Sequence, residues 1–148
     1  FPDREKFDFG KSHIEKMIEQ ARIPDITINS RVICLKDSLD MDEEDRIRIA
    51  RACNESVDKN IMVMHGTSTM VESAKVVQEN MKGGKTVVFF GSMFPYEIGK
   101  SDAQFNFGSA ITACQLLDPG TYITMNGRAF PYGKTVKNER ESIFTELN

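Results

Sequence analysis

Three hydroxyl side chains in a row, Thr67, Ser68 and Thr69, follow His65 and Gly66 in the stretch of this sequence best suited to chemistry. Two further hydroxyls stand in comparable surroundings, Ser38 within Lys36-Asp37-Ser38-Leu39-Asp40 and Ser92 within Gly91-Ser92-Met93-Phe94-Pro95. Hydroxyls grouped with the backbone N–H groups of a helix start suit an anionic or carboxylate ligand. A hydroxyl becomes a nucleophile only when a neighbour accepts its proton or stabilises its anion. By residue type the bases on offer are His65 and a desolvated lysine, for which Lys137 is a candidate that spacing alone does not select. Each of these residues also has a plainer reading. Thr69 and Glu72 have capping-box spacing, and a histidine directly after a buried strand fits a hydrogen-bonded structural role as well as a base. The residues by themselves reach a small-ligand site, with a Thr or Ser nucleophile as one version of it.

The elements that must position these groups follow from periodicity. Ile61 to Met64 is a short apolar run and Thr86 to Phe90 a β-branched and aromatic one, and both predict buried strands. Ile26 to Leu35 and Thr121 to Met125 carry the same signal. Between them, Ile14, Met17, Ile18 and Ala21, then Ile47, Ala50, Cys53 and Val57, then Met70, Ala74, Val77 and Met81, then Phe107, Ala110, Ile111 and Cys114 recur at helical spacing. Ser12 with Glu15, Asp40 with Glu43 and Ser101 with Gln104 have the spacing of helix N-terminal boxes. Asn126 to Asn138 reads as a short hairpin or paired extension, with its turn marked by Pro131 and Gly133. Alternation of helix and strand predicts an α/β fold, doubly wound, with a mainly parallel sheet flanked by helices on both faces. Right-handed crossovers would bring the three polar loops to one edge of that sheet, where such folds bind ligands.

Composition sets the outer bounds. The chain has 148 residues with 40% hydrophobic and 28% charged side chains, which predicts one globular α/β domain over 1–148. A net charge of −3 without any basic block argues against nucleic acid as a partner. No apolar run of about 18 residues predicts a membrane span. Cys34, Cys53 and Cys114 are too widely spaced for a zinc site or a disulfide framework, and buried thiols in a reducing, cytoplasmic compartment are expected. The chain opens on Phe1, not Met, and its pattern begins with a helix, so a preceding strand is expected upstream. No GxGxxG or phosphate-loop signature supports a flavodoxin-like module for a phosphorylated ligand.

The motifs carry a resemblance. His65-Gly66-Thr67-Ser68-Thr69-Met70 resembles the His-Gly-Thr-Asp-Thr-Met signature of bacterial-type L-asparaginases and glutaminases. Gly91-Ser92-Met93-Phe94-Pro95 is similar to that family's Gly-Ala/Ser-Met-x-Pro loop, and Ser101-Asp102 through Asn106 to its Ser-Asp-x-x-x-Asn segment. Lys36 to Met41 resembles its substrate-serine loop, and Asn126 to Asn138 resembles the tail of its short, single-domain members. The likeness runs in order from about residue 25 to the end, and it implies an asparaginase N-terminal-domain-like fold.

What the resemblance implies is hydrolysis of a side-chain amide of Asn, Gln or a related small amide to acid and ammonia, without a metal or organic cofactor. Thr67 corresponds to the Thr of the family's Thr-Lys-Asp triad and Lys137 to its Lys. Ser38 would hold the substrate α-carboxylate, while Gly66, Ser68 and Ser92 would line the substrate pocket, with backbone N–H groups stabilising the oxyanion. The expected assembly is a homo-oligomer, a dimer or tetramer. Two departures stand out. Ser68 occupies the position of the family's Asp, and the family's primary nucleophile belongs to a Gly-Gly-Thr loop whose place falls before Phe1, so that loop is either upstream of this sequence or lacking. A catalytically impaired amino-acid-binding or regulatory protein that keeps the pocket is the alternative expectation.

Overall fold

The run Thr86–Phe90 forms strand β2 and is buried along its whole length. A strand of that kind needs cover on both sides and along both edges, and the fold supplies all four. In a computed structural model, which describes residues 11–94 and 99–147, the chain divides into two compact units, 1–35 and 36–148.

The larger unit holds the sheet. A 3₁₀ turn at Ser38–Asp40 precedes helix α2 (Glu43–Glu55), followed by β1 (Asn60–Met64), α3 (Met70–Asn80), β2, α4 (Ala103–Leu116) and β3 (Gly120–Met125). β1 and β2 pair in parallel with Met64 opposite Phe90, and β2 and β3 pair in parallel with Phe89 opposite Ile123. Strand β4 (Arg128–Pro131) then returns antiparallel against β3, giving the order β1-β2-β3-β4. A second sheet pairs β5 (Thr135–Asn138) with β6 (Ile143–Glu146), antiparallel. The expected α/β architecture with a mainly parallel sheet is therefore present.

Successive side chains of a strand point to opposite faces, and β2 shows which helix covers which. Phe90 packs its ring against Phe107 of α4, and Thr86, on the same face, donates to the carbonyl of Leu117 at the end of that helix. Phe89 faces the other way, against His65, whose ring bonds to Ser73 of α3. The strands are laid down in sequential order, so both crossovers step in the same direction, yet their helices lie on opposite faces. The two crossovers are therefore of opposite hand, and one of them is left-handed. Crossovers of this kind are right-handed in roughly 98% of cases, so the uniform right-handed winding expected from sequence does not hold.

Helix α2 begins two residues later than the Asp40–Glu43 spacing suggested. The cap is Asp42, whose carboxylate accepts from Asp45 N at 2.9 Å while Asp45 accepts from Asp42 N at 3.1 Å, and Asp40 belongs to the preceding turn. Asp45 is buried and offset by Lys36 at 2.8 Å and Arg48 at 3.3 Å. The inward stripe is Ile49, Ala50 and Cys53, and Val57 is 96% exposed beyond the helix end. Thiols Cys53 and Cys114 are pushed up to about 11 by burial, which keeps them protonated and unreactive, whereas Cys34 is half-buried.

The hairpin is also placed differently. Asn126 and Gly127, with φ of 56° and 76°, make the turn between β3 and β4, the left-handed pair that a two-residue hairpin demands. β5 pairs with β6, so Pro131 and Gly133 mark the passage from one sheet to the other.

In the smaller unit, α1 (Lys11–Ala21) is a helix and ends where Arg22 takes a φ of 51°. Ile26 to Leu35, expected as a strand, has no regular structure. β propensity is expressed only on a half-buried pleated surface, and here Ile26, Val32 and Leu35 are 38%, 47% and 60% exposed. The Ser12 side chain and the segment 95–98, which includes Pro95, lie outside the described residues.

Candidate active site

Parallel pairing of β1 with β2 makes their exits level, because His65 N continues the ladder to Phe90 O at 2.9 Å. The two backbones then run so close that a Cβ on Gly91 would lie 2.2 Å from the carbonyl oxygen of His65. Only glycine permits that approach. His65 is buried and uses both ring nitrogens. A carbonyl can only accept, so Nδ1 carries the proton donated to Gly66 O at 2.6 Å, and Nε2 accepts from the Ser73 hydroxyl at 2.8 Å. Burial lowers its pKa below the usual 6.5, against a smaller upward pull from the Gly66 carbonyl. A neutral, doubly bonded imidazole of this kind is a structural element, as its place after a buried strand allowed.

Ser38 arrives from the 3₁₀ turn, which Asp37 caps by accepting Leu39 N at 3.0 Å. The serine is buried and abuts Gly66, where a Cβ would stand 2.8 Å from Ser38 Oγ. Thr69 fastens the two loops together. Its Oγ1 donates to Ser38 O at 2.7 Å and its N–H to Ser38 Oγ at 3.3 Å. Thr69 occupies the cap position of α3 without a side-chain capping bond, so the capping-box reading of Thr69 with Glu72 fails. Its hydroxyl is spent on a longer-range tie.

The Gly91–Phe94 loop is held from α4. Asp102 accepts Met93 N at 2.9 and 3.1 Å and Phe94 N at 3.1 Å, and Asn106 donates to Gly91 O at 2.9 Å and to Asp102 at 3.1 Å. Half-buried Ser92 lies between these anchors. Asp102 and Asn106 are organisers that residue types alone did not single out. The available signal was a carboxylate immediately before a helix start, four residues ahead of an Asn on the inward face.

Lys137 comes from β5. Its sheet is fixed to the end of β3, where Asn126 Oδ1 accepts Phe144 N at 2.7 Å, and Arg128 of β4 pairs with Glu146 of β6. That places Lys137 Nζ 2.8 Å from Thr67 Oγ1, with a side chain only 15% exposed. Glu139 stands on its other side at 3.4 Å. The structure thus joins Thr67 to Lys137 and Gly66 to Ser38, and leaves Ser68 half-buried on the link between Thr67 and Thr69.

A hydroxyl in hydrogen-bond contact with a shielded amine is an arrangement that can support nucleophilic attack on a carbonyl. The family model for the asparaginase N-terminal domain matches residues 4–145. The chain belongs to the asparaginase family. It is 26% identical over 149 residues to L-asparaginase 2 of Escherichia coli K12, covering 96% of this chain and 43% of that protein. It is 32% identical over 99 residues to the L-asparaginase of Thermococcus kodakarensis, covering 65% of this chain and 30% of that one. The solved structure of the thermostable L-asparaginase from Thermococcus kodakarensis superposes with a TM-score of 0.83 at 25% identity, over 93% of this chain and 43% of that chain. The probable cytoplasmic L-asparaginase of Campylobacter jejuni superposes with a TM-score of 0.81 at 24% identity, over 90% and 44%. The asparaginase-family chain described here spans less than half the length of the curated relatives it matches.

Proposed function

We propose that this protein is an amidohydrolase that cleaves the side-chain amide of asparagine, glutamine or a related small linear amide to the acid and ammonia. The observation that carries the reading is the 2.8 Å contact between Lys137 Nζ and Thr67 Oγ1 in a chain of the asparaginase family. In the neutral form Lys137 takes the Thr67 proton as Oγ1 bonds to the amide carbon, and the carbonyl oxygen becomes the oxyanion. Collapse of that intermediate breaks the C–N bond, with the proton passing to the departing ammonia, and water then hydrolyses the acyl ester. The backbone at Ser92 is suited to receive the amide, and Ser38 and Gly66 to the carboxylate end of the substrate. The same reading carries a cytoplasmic location and a homo-oligomer. It requires no nucleic acid or membrane partner, and no helix among the described residues is long and apolar enough to cross a membrane.

Ammonia release from L-asparagine, L-glutamine and succinamic acid by the full chain tests the proposal. Lys137→Ala lowers turnover by about 10²–10⁴-fold, the usual contribution of a positioned base, with an unchanged circular dichroism spectrum. Undiminished turnover in that variant would reject the assignment. Ser68 favours a second reading, a protein that binds amino acids without turning them over, because a neutral hydroxyl stands where the family has a carboxylate. Saturable binding without ammonia release, together with a gain of turnover in Ser68→Asp, would select it.

A further inference from the structure

We propose that Glu139 recognises the ammonium group of an amino-acid amide in this site, an assignment that rests on the amidohydrolase reading above. In asparagine the ammonium nitrogen is three bonds from the amide carbon. A substrate with that carbon at Thr67 Oγ1 therefore brings its ammonium close to Thr67 and Lys137, and a carboxylate is needed to offset it. Position 68, next to Thr67, offers only a hydroxyl. The Asp102 oxygens are engaged by Met93 N, Phe94 N and Asn106, and Asp45 serves Lys36 and Arg48.

Glu139 has the required placement. Its Oε2 lies 3.4 Å from Lys137 Nζ, which in turn lies 2.8 Å from Thr67 Oγ1, so carboxylate and hydroxyl flank one amine. The bend that carries it is pinned, since Asn138 Oδ1 accepts the N–H groups of Arg140 and Glu141 at 3.1 Å each. The side chain is 74% exposed, so a ligand reaches it without displacing packed groups. An incoming ammonium donates to the Glu139 carboxylate while Lys137, in its neutral form, stays beside Thr67.

The test compares L-asparagine with succinamic acid, which keeps the amide and the carboxylate and lacks the ammonium. Calorimetric titration of the full chain measures both affinities in wild type and E139Q, and ammonia release is followed in parallel. The expected result is that E139Q weakens asparagine about tenfold more than succinamate, the lower end for a hydrogen bond to a charged group, and that E139D retains part of the preference. Equal weakening of both ligands would mean that Glu139 acts only through Lys137 and would overturn the proposal. So would unaltered affinities, or no binding of asparagine to wild type. If the selective loss is seen without ammonia release from any amide, ammonium recognition stands and the hydrolase reading alone falls.

Discussion

Thr69 and Ser38 are tied by two hydrogen bonds, hydroxyl to carbonyl at 2.7 Å and N–H to hydroxyl at 3.3 Å, that join the strand-exit loop to a turn 31 positions earlier. Thr69→Val keeps the shape and removes the first bond. We expect a loss of about 1 kcal/mol in stability, the net worth of one such bond. In steady-state kinetics KM for the amide is expected to rise several-fold while kcat changes less, because the proposed function has Ser38 hold substrate and take no part in proton transfer. A kcat that falls in step with kcat/KM, at unchanged KM, would move Ser38 into the chemistry.

Gly91→Ala sets a methyl group against a backbone carbonyl, not against a flexible side chain. Overpacking costs about 1–3 kcal/mol and more where the neighbour cannot yield. The variant is expected to unfold in urea at a clearly lower midpoint than wild type. An unchanged midpoint would mean that β1 and β2 separate more easily than their ladder implies.

Acid sensitivity is expected in two steps. The His65 pKa is lowered in the fold by burial, so below its unfolded value of about 6.5 the unfolded chain binds the proton first. That contribution is present above pH 6.5 and is lost as pH falls through the depressed folded value. Asp45 is lowered from 3.8, chiefly by its bond from Lys36 and then by Asp42 N–H, so its contribution is lost only below that. Unfolding free energies measured between pH 8 and 3 should show both steps, with His65→Gln flattening the upper one and Asp45→Asn the lower. A slope in the upper window that survives His65→Gln would point to another group.

Much of this was legible in the sequence where pattern and packing agree. Thr86–Phe90 is a strand in both, and Phe107, Ala110, Ile111 and Cys114 form the buried face of α4 as their spacing required. Thr67 and Lys137 were paired only through motif resemblance, since no local rule relates a hydroxyl to an amine on another sheet. Ile26 to Leu35 misled because propensity does not reveal whether a half-buried surface is on offer. The hairpin turn was misplaced because Pro131 and Gly133 drew attention from Asn126-Gly127, the stronger two-residue signal. Crossover hand, and the tie from Thr69 to Ser38, depend on tertiary placement that no window of sequence contains.

Thr67 and Lys137 are 70 positions apart in the chain. Contacts of that span are late and entropically costly to close. Until the β5–β6 hairpin docks on Asn126, Thr67 has no Lys137 amine beside it, whatever the state of the central sheet. Recovery of turnover during refolding should therefore lag behind recovery of strand and helix signals. On the proposed function, the centre stays disarmed in half-folded chains, and ammonia release would be a clock for the final docking step.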